Sequence, residues 1–189
     1  MRTRLSAFGI GIGLLFSAAL NADQHPVYSE EEATLVLPSI SLDSSPGHFQ
    51  EAELELLQDN LWQLRDAREG KLNEDIQNVE LITTDSFPLQ AFLRISGEFM
   101  HGCARKGQVQ SQIVNNKIIV NAYYENNLWT KSPEIVLCTL ATESFTFVYP
   151  LPVYGLPAGD YTYELNNTFS GSFTLSQSNV YESSSPAWQ

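Results

Sequence analysis

Positive charge is scarce in this chain: 10 Lys and Arg stand against 22 Asp and Glu over 189 residues, a formal charge of -12. Affinity for nucleic acid comes mainly from Lys and Arg that neutralise phosphates, so this balance argues against a nucleic-acid partner, and it disfavours anionic membrane surfaces for the same reason. Histidine is limited to His25, His48 and His101. His25 lies in a polar lead-in and His48 follows a Pro-Gly pair, so both read as solvated loop residues. No Gly-x-Ser-x-Gly, paired CxxC, HxxxH or Asp-x-Asp-x-Asp-Gly pattern occurs, which leaves no signature of a serine hydrolase, a zinc site or a calcium loop. The alternating acids Glu51, Glu53 and Glu55 fit the wet face of a strand better than paired catalytic carboxylates. The expectation is a protein that is not an enzyme, with no catalytic residues, no cofactor and no metal.

Long apolar runs are also few. Arg2 and Arg4 precede an apolar stretch from Leu5 to Leu20, followed by Asn21 and Ala22; charged, greasy, then small is the order of an export signal spanning residues 1–22. Gly9, Gly11 and Gly13 weaken the alternative of a membrane anchor. After cleavage no integral span is expected, and the location is periplasmic or extracellular. Only two cysteines are present, Cys103 and Cys138. An even count in a chain bound for an oxidising compartment predicts one disulfide, and closing a loop of about 36 residues stabilises by roughly 4 kcal/mol in the chain-entropy model.

With 43% apolar and 17% charged residues, the mature chain can bury a core. Residues 23–32 are acidic and read as a flexible lead-in. Residues 33–70 form a strand-rich N-terminal unit in which two patterns compete. Ala52, Leu54 and Leu56 alternate with the acids, a period of two, whereas Leu54, Leu57, Leu61 and Leu64 fall at helical spacing. A hairpin with its tip at Gln58–Asn60 is preferred over a helix. Glu69 to Asn78 reads as a linker, residues 77–177 as an all-β domain, and residues 178–189 as a loose tail. Within the domain Ala91, Leu93 and Ile95, then Phe145, Phe147 and Tyr149, then Tyr161, Tyr163 and Leu165 each alternate with polar residues. Asn115-Asn116 between Ile113-Val114 and Ile118-Ile119 predicts a two-residue hairpin. About seven short strands with such turns predict a β-sandwich.

Several segments carry a resemblance: Ser86-Phe87-Pro88, an alternating strand ending in Gly97, Gly102-Cys103, Cys138, Gly155-Leu156-Pro157-Ala158-Gly159-Asp160-Tyr161-Thr162, and Gly171-Ser172-Phe173-Thr174-Leu175. Val79 to Leu175 resembles a family of uncharacterised, exported bacterial β-sandwich modules of immunoglobulin-like build. The resemblance implies an immunoglobulin-like sandwich bridged by Cys103 and Cys138, and a bacterial source. It brings no catalytic residues.

The aromatic loops offer a binding function for a protein or glycan partner. Trp129 and Tyr154, with the loop His101 to Lys106, are the candidate residues, placed at one end of the sandwich; the adjacent cations Arg105 and Lys106 would make a local anion-binding spot. Trp129 also fits a core position against the disulfide. The alternative function is a secreted inhibitor of a hydrolase, presenting the stiff segment Leu151 to Pro157 with its two prolines.

Overall fold

Period-two alternation governs nearly every element of the computed structural model, which describes residues 25–126 and 137–181. The expected leader and Trp129 lie outside the described residues. Among the described residues twelve strands run in order: β1 Val27–Ser29, β2 Thr34–Leu42, β3 Ser45–Leu56, β4 Trp62–Glu69, β5 Lys71–Leu72, β6 Ile76–Thr83, β7 Ala91–Phe99, β8 Ala104–Val114, β9 Lys117–Asn126, β10 Glu143–Pro150, β11 Gly159–Leu165 and β12 Phe169–Leu175. Strands β1 to β4 form an antiparallel N-terminal sheet in chain order. The sandwich that follows has one sheet ordered β10-β7-β6 and a second ordered β12-β11-β9-β5, with β8 also pairing β9. No helix among the described residues is long and apolar enough to cross a membrane.

The ambiguous leucines of residues 50–68 resolve as a hairpin. Leu54 pairs with Leu64 and Leu56 with Trp62, so the leucines that share a helical stripe in the sequence meet across two strands instead. A single 3-10 turn at Gln58–Asn60 makes the tip, with Asn60 left-handed at φ 60° and Leu57 N–H donating to Leu61 O at 2.7 Å. Directly opposed residues share a face, and the register Tyr28–Leu35–Leu54–Leu64 carries one apolar row across all four strands. The sheet curls enough for the rings of Tyr28 and Trp62, on its two edge strands, to meet edge-on at 6.2 Å. The lead-in expected to be flexible therefore contributes a strand, because Tyr28 helps close this small apolar surface.

The sandwich core lies between Leu93 and Ile95 of β7 and Ile118, Val120, Tyr161, Tyr163, Leu165, Phe173 and Leu175 of the facing sheet. These are the inward residues that the alternation names. Asn115-Asn116 is the β8–β9 turn, with Asn115 left-handed. Strand β11 runs parallel to β9, unlike the antiparallel pairing of immunoglobulin sheets. Cys103 and Cys138 form the disulfide, with Cα atoms 5.2 Å apart.

One face of β9 departs from the simple sandwich pattern. Ile119, Asn121 and Tyr123 point away from the core, yet all are buried, because the N-terminal sheet packs behind β8 and β9 and adds a third layer. The seam is polar and hydrogen-bonded. Tyr123 Oη donates to Pro46 O at 2.7 Å, and Asn121 Nδ2 donates to Pro46 O at 3.2 Å and to Tyr123 Oη at 3.2 Å. A Cβ at Gly70 would stand 2.6 Å from the Tyr123 ring, so glycine is required where the chain passes the ring.

The expected linker 69–78 is stitched in the same way. Strand β5 pairs Lys71 with Tyr124 and Leu72 with Tyr123. Asn166, left-handed at φ 50°, accepts from Ala122 N–H at 2.8 Å and donates to Asn73 O at 2.9 Å. A segment read as linker from its charges and Gly70 is thus fixed by backbone pairing, which charge composition does not reveal.

Burial raises the pKa of Tyr123, Tyr149 and Tyr163 above the ordinary value of 10.0; hydrogen bonds from Asn121 and Ser45 at Tyr123, and from Ser111 at Tyr149, offset part of the effect. The folded state therefore holds these phenolic protons more tightly than the unfolded chain. Their contribution is fully present below pH 10 and is lost as pH rises through the raised folded values. Urea denaturation at alkaline pH should show stability falling above that point. Tyr123→Phe should lower stability at neutral pH by about 1 kcal/mol, the net worth of a hydrogen bond whose acceptor, Pro46 O, keeps Asn121 Nδ2 as a partner, and should flatten the alkaline loss.

Candidate functional site

The loops that join β6 to β7 and β10 to β11 both leave the same end of the sandwich. The register puts Pro150 opposite Phe92 and Thr83 opposite Ala91, so the end of β10, the start of β7 and the end of β6 lie together. Between these loops is a groove of about 470 Å³, lined by Ser86–Phe92, Pro150, Leu151, Val153, Tyr154 and Tyr181.

Each wall is built from turn chemistry. The segment 84–90 closes on itself: Thr84 N–H donates to Gln90 O at 3.0 Å and Gln90 N–H to Thr84 Oγ1 at 2.9 Å. The Phe87–Pro88 peptide is cis. On the other wall the chain alternates inward and outward. Leu151 and Val153 are buried, whereas Tyr154 is 64% exposed. Gly155 follows at φ 84°, a left-handed conformation that glycine adopts without strain.

Asn179 joins the two walls. Its Oδ1 accepts from Leu89 N–H at 2.7 Å, and its Nδ2 donates to Leu89 O at 2.8 Å and Val153 O at 3.0 Å. Its own carbonyl accepts from Gly155 N–H at 2.9 Å, and its N–H donates to Leu156 O at 2.8 Å. The side chain is 1% exposed. This residue belongs to the segment expected to be a loose tail; composition suggested disorder, but a buried carboxamide satisfies both loops at once. Two residues on, Tyr181 Oη donates to Phe87 O at 3.0 Å, and its ring meets Phe87 edge-on at 6.0 Å.

The groove is uncharged and aromatic. None of its lining residues is Asp, Glu, Lys, Arg or His, although the chain carries 22 acids. Phe87, Tyr154 and Tyr181 all expose apolar surface. The Ser86 hydroxyl is engaged with Thr84 Oγ1 and Pro88 O, and the Tyr181 hydroxyl is engaged as above. The Gln90 amide and the Tyr154 hydroxyl are left to meet a ligand.

The sequence-derived candidates divide between two places. Tyr154 lines the groove, but His101, Arg105 and Lys106 lie at the opposite end: β10 opposes Glu143 to Phe99 and Pro150 to Phe92, so about seven strand residues, roughly 23 Å, separate them. The expectation that these loops share one end is thereby corrected; a strand carries each loop to whichever end its length dictates. Nor do the two cations assemble an anion spot. Arg105 donates to Gly102 O at 3.0 Å and Ala104 O at 2.7 Å and stands 3.7 Å from Glu143. Lys106 Nζ lies 4.9 Å from the Phe147 ring centroid. His101 Nε2 hydrogen-bonds Tyr124 Oη at 3.0 Å.

One Ser-His-Glu row exists, in the N-terminal sheet. Ser45 Oγ is 3.5 Å from His48 Nδ1, and His48 Nε2 is 3.3 Å from Glu69 Oε1. The serine contact is long for proton transfer. Its hydroxyl also accepts from Asn121 Nδ2 at 3.3 Å, and none of these residues lines the groove. No group of three or more potential metal ligands occurs among the described residues.

Sequence reasoning missed Phe92, Tyr181 and Asn179. The only sequence signal for the groove was the Ser86-Phe87-Pro88 motif and the prolines of Leu151 to Pro157, which mark rigid turns. Asn179→Ala should lower stability by about 2 kcal/mol, since the Leu89 N–H and C=O lose their partner and Val153 O keeps only the bond from Leu156 N–H at 3.4 Å. Hydrogen exchange at the Leu89 amide should accelerate beyond what that global loss accounts for, because the damage falls on this end.

Residues 93–175 match the family model described as the ORF11 beta-sandwich domain, a span that runs from β7 to the last residue of β12. No curated protein and no solved structure matches the chain.

Proposed function

We propose that this protein is an exported, non-catalytic binding module that takes an extended, proline-containing protein segment in the groove between the β6–β7 and β10–β11 loops. The observation that carries the reading is the groove's lining: aromatic and proline side chains, no charge, and walls fixed by one buried asparagine. Polyproline II segments dock in aromatic-lined grooves because the ligand is already extended and loses little entropy. A glycan is the poorer fit. Sugar hydroxyls need convergent polar side chains, and Gln90 and Tyr154 alone supply them here. The Cys103–Cys138 disulfide supports action outside the cytosol.

A second reading, a secreted hydrolase inhibitor, is favoured by Tyr154, which projects from a pinned loop. Stiffness reduces the entropy lost on binding. Against it, Leu151 and Val153 of the same loop point inward and are not available to a protease.

The test is fluorescence polarisation with labelled ten-residue peptides built on Pro-x-x-Pro, alongside cello- and chito-oligosaccharides and a protease panel. Peptide binding should weaken at least about tenfold in Tyr154→Ala, equivalent to about 1.4 kcal/mol. Oligosaccharide binding with no peptide binding, or inhibition of a protease that Tyr154→Ala abolishes, would overturn the peptide reading.

A further inference from the structure

The three-stranded sheet ends on β10, and among the described residues no strand pairs with its outer side. Natural sheets blunt such edges with charge, proline, bulges or short strands. Most of the other edges do so. Strand β1 is three residues long, β4 has two register shifts and carries Arg65, Asp66, Arg68 and Glu69, β6 is bulged between Ile76 and Asn78, and β8 carries Arg105 and Lys106 and is bulged between Lys106 and Val109. Strand β12, with no charge, proline or register shift, is bare as well, but it is shorter and its Gly171 offers no side chain to a cross-strand partner. Strand β10 is the longer bare edge. All eight of its residues pair with β7 without a break, and Ser144 to Tyr149 contains neither charge nor proline.

We propose that β10 is a self-association edge: a second copy of the chain adds its own β10 antiparallel, joining two three-stranded sheets into one of six strands about a two-fold axis. Pairing centred on Phe147 sets Phe147 opposite itself, Phe145 opposite Tyr149 and Thr146 opposite Val148. Rings meet rings and small side chains meet small ones, the cross-strand matches that stabilise sheets. Charge also selects this edge. Two copies at -12 each repel, whereas at this edge the one charge of β10, Glu143, stands 3.7 Å from Arg105 of its own chain and Lys106 Nζ lies 4.9 Å from the Phe147 ring centroid, so the strip carries no excess negative charge. Eight residues a side fall short of the roughly 1,000 Å² of a permanent complex, so the dimer is weak and concentration-dependent. Because long-range repulsion opposes it, salt strengthens it.

Sedimentation velocity of the full-length protein across the micromolar to millimolar range tests this. The dimer should grow with concentration, and its dissociation constant should fall at least about threefold when salt screens the repulsion, the Debye length shrinking from tens of ångströms to a few. Thr146→Lys, at an exposed position, should remain monomeric while keeping the wild-type circular dichroism; Ser144→Lys repeats the test if that variant does not fold. A mixture of Thr146→Cys and Val148→Cys should form a mixed disulfide dimer on mild oxidation, whereas Thr174→Cys, exposed on β12, should not. A monomer at every concentration and salt, a dimer that persists in the lysine variants, or equal cross-linking through Thr174→Cys would each overturn the proposal. The groove shares only Pro150 with β10, and none of the substituted positions lines it, so these results and the peptide-binding test fail separately.

Discussion

Two loops that share no secondary structure are held apart at a fixed distance by one carboxamide. Asn179 bonds to Leu89 on one wall and Val153 on the other. A loop in water samples many conformations, and a ligand that must order it loses affinity by doing so. With both walls tied to a buried side chain, that ordering has already happened during folding. The groove is therefore a feature of the folded chain, supported by the sandwich core through Leu151 and Val153.

The rest of the architecture explains why this end is open and the opposite end is not. At the far end the Cys103–Cys138 disulfide, the His101–Tyr124 hydrogen bond and the Arg105 contacts occupy the polar groups. On its back the second sheet is covered by the N-terminal layer through Asn121 and Tyr123. Among the described residues, the aromatic end and the β10 edge stay uncovered. The first carries no charge and the second only Glu143, beside Arg105, in a strongly acidic protein, and both suit partners recognised by shape and backbone rather than by charge.

The strands were readable because alternation reports burial directly. Leu93 and Ile95, Tyr161 and Tyr163, and Phe173 and Leu175 all point where period two puts them. The hairpin of residues 50–68 was readable only as a preference, since Leu54 and Leu64 satisfy helical and strand spacing alike; pairing across the tip decides between them, and pairing is a long-range property. The same limit hid the third layer. Asn121 looks like a solvated strand position in sequence, and nothing local announces that Pro46, some 75 positions earlier, will approach it. It also hid the site. Tyr154 and His101 were grouped as loop residues, although the length of β10 separates them, and Asn179 sat in a serine-rich stretch whose composition resembles a tail. Polar residues with long-range partners are where local patterns carry least information.

Backbone ¹⁵N relaxation on the ligand-free protein tests most directly whether the groove is preformed. Order parameters of about 0.85 at Leu89, Val153, Tyr154 and Asn179, equal to those of the strands, are the predicted result. Values below about 0.6 at these residues would contradict it, since the walls would then be moving freely and any fit to a partner would be made only on binding.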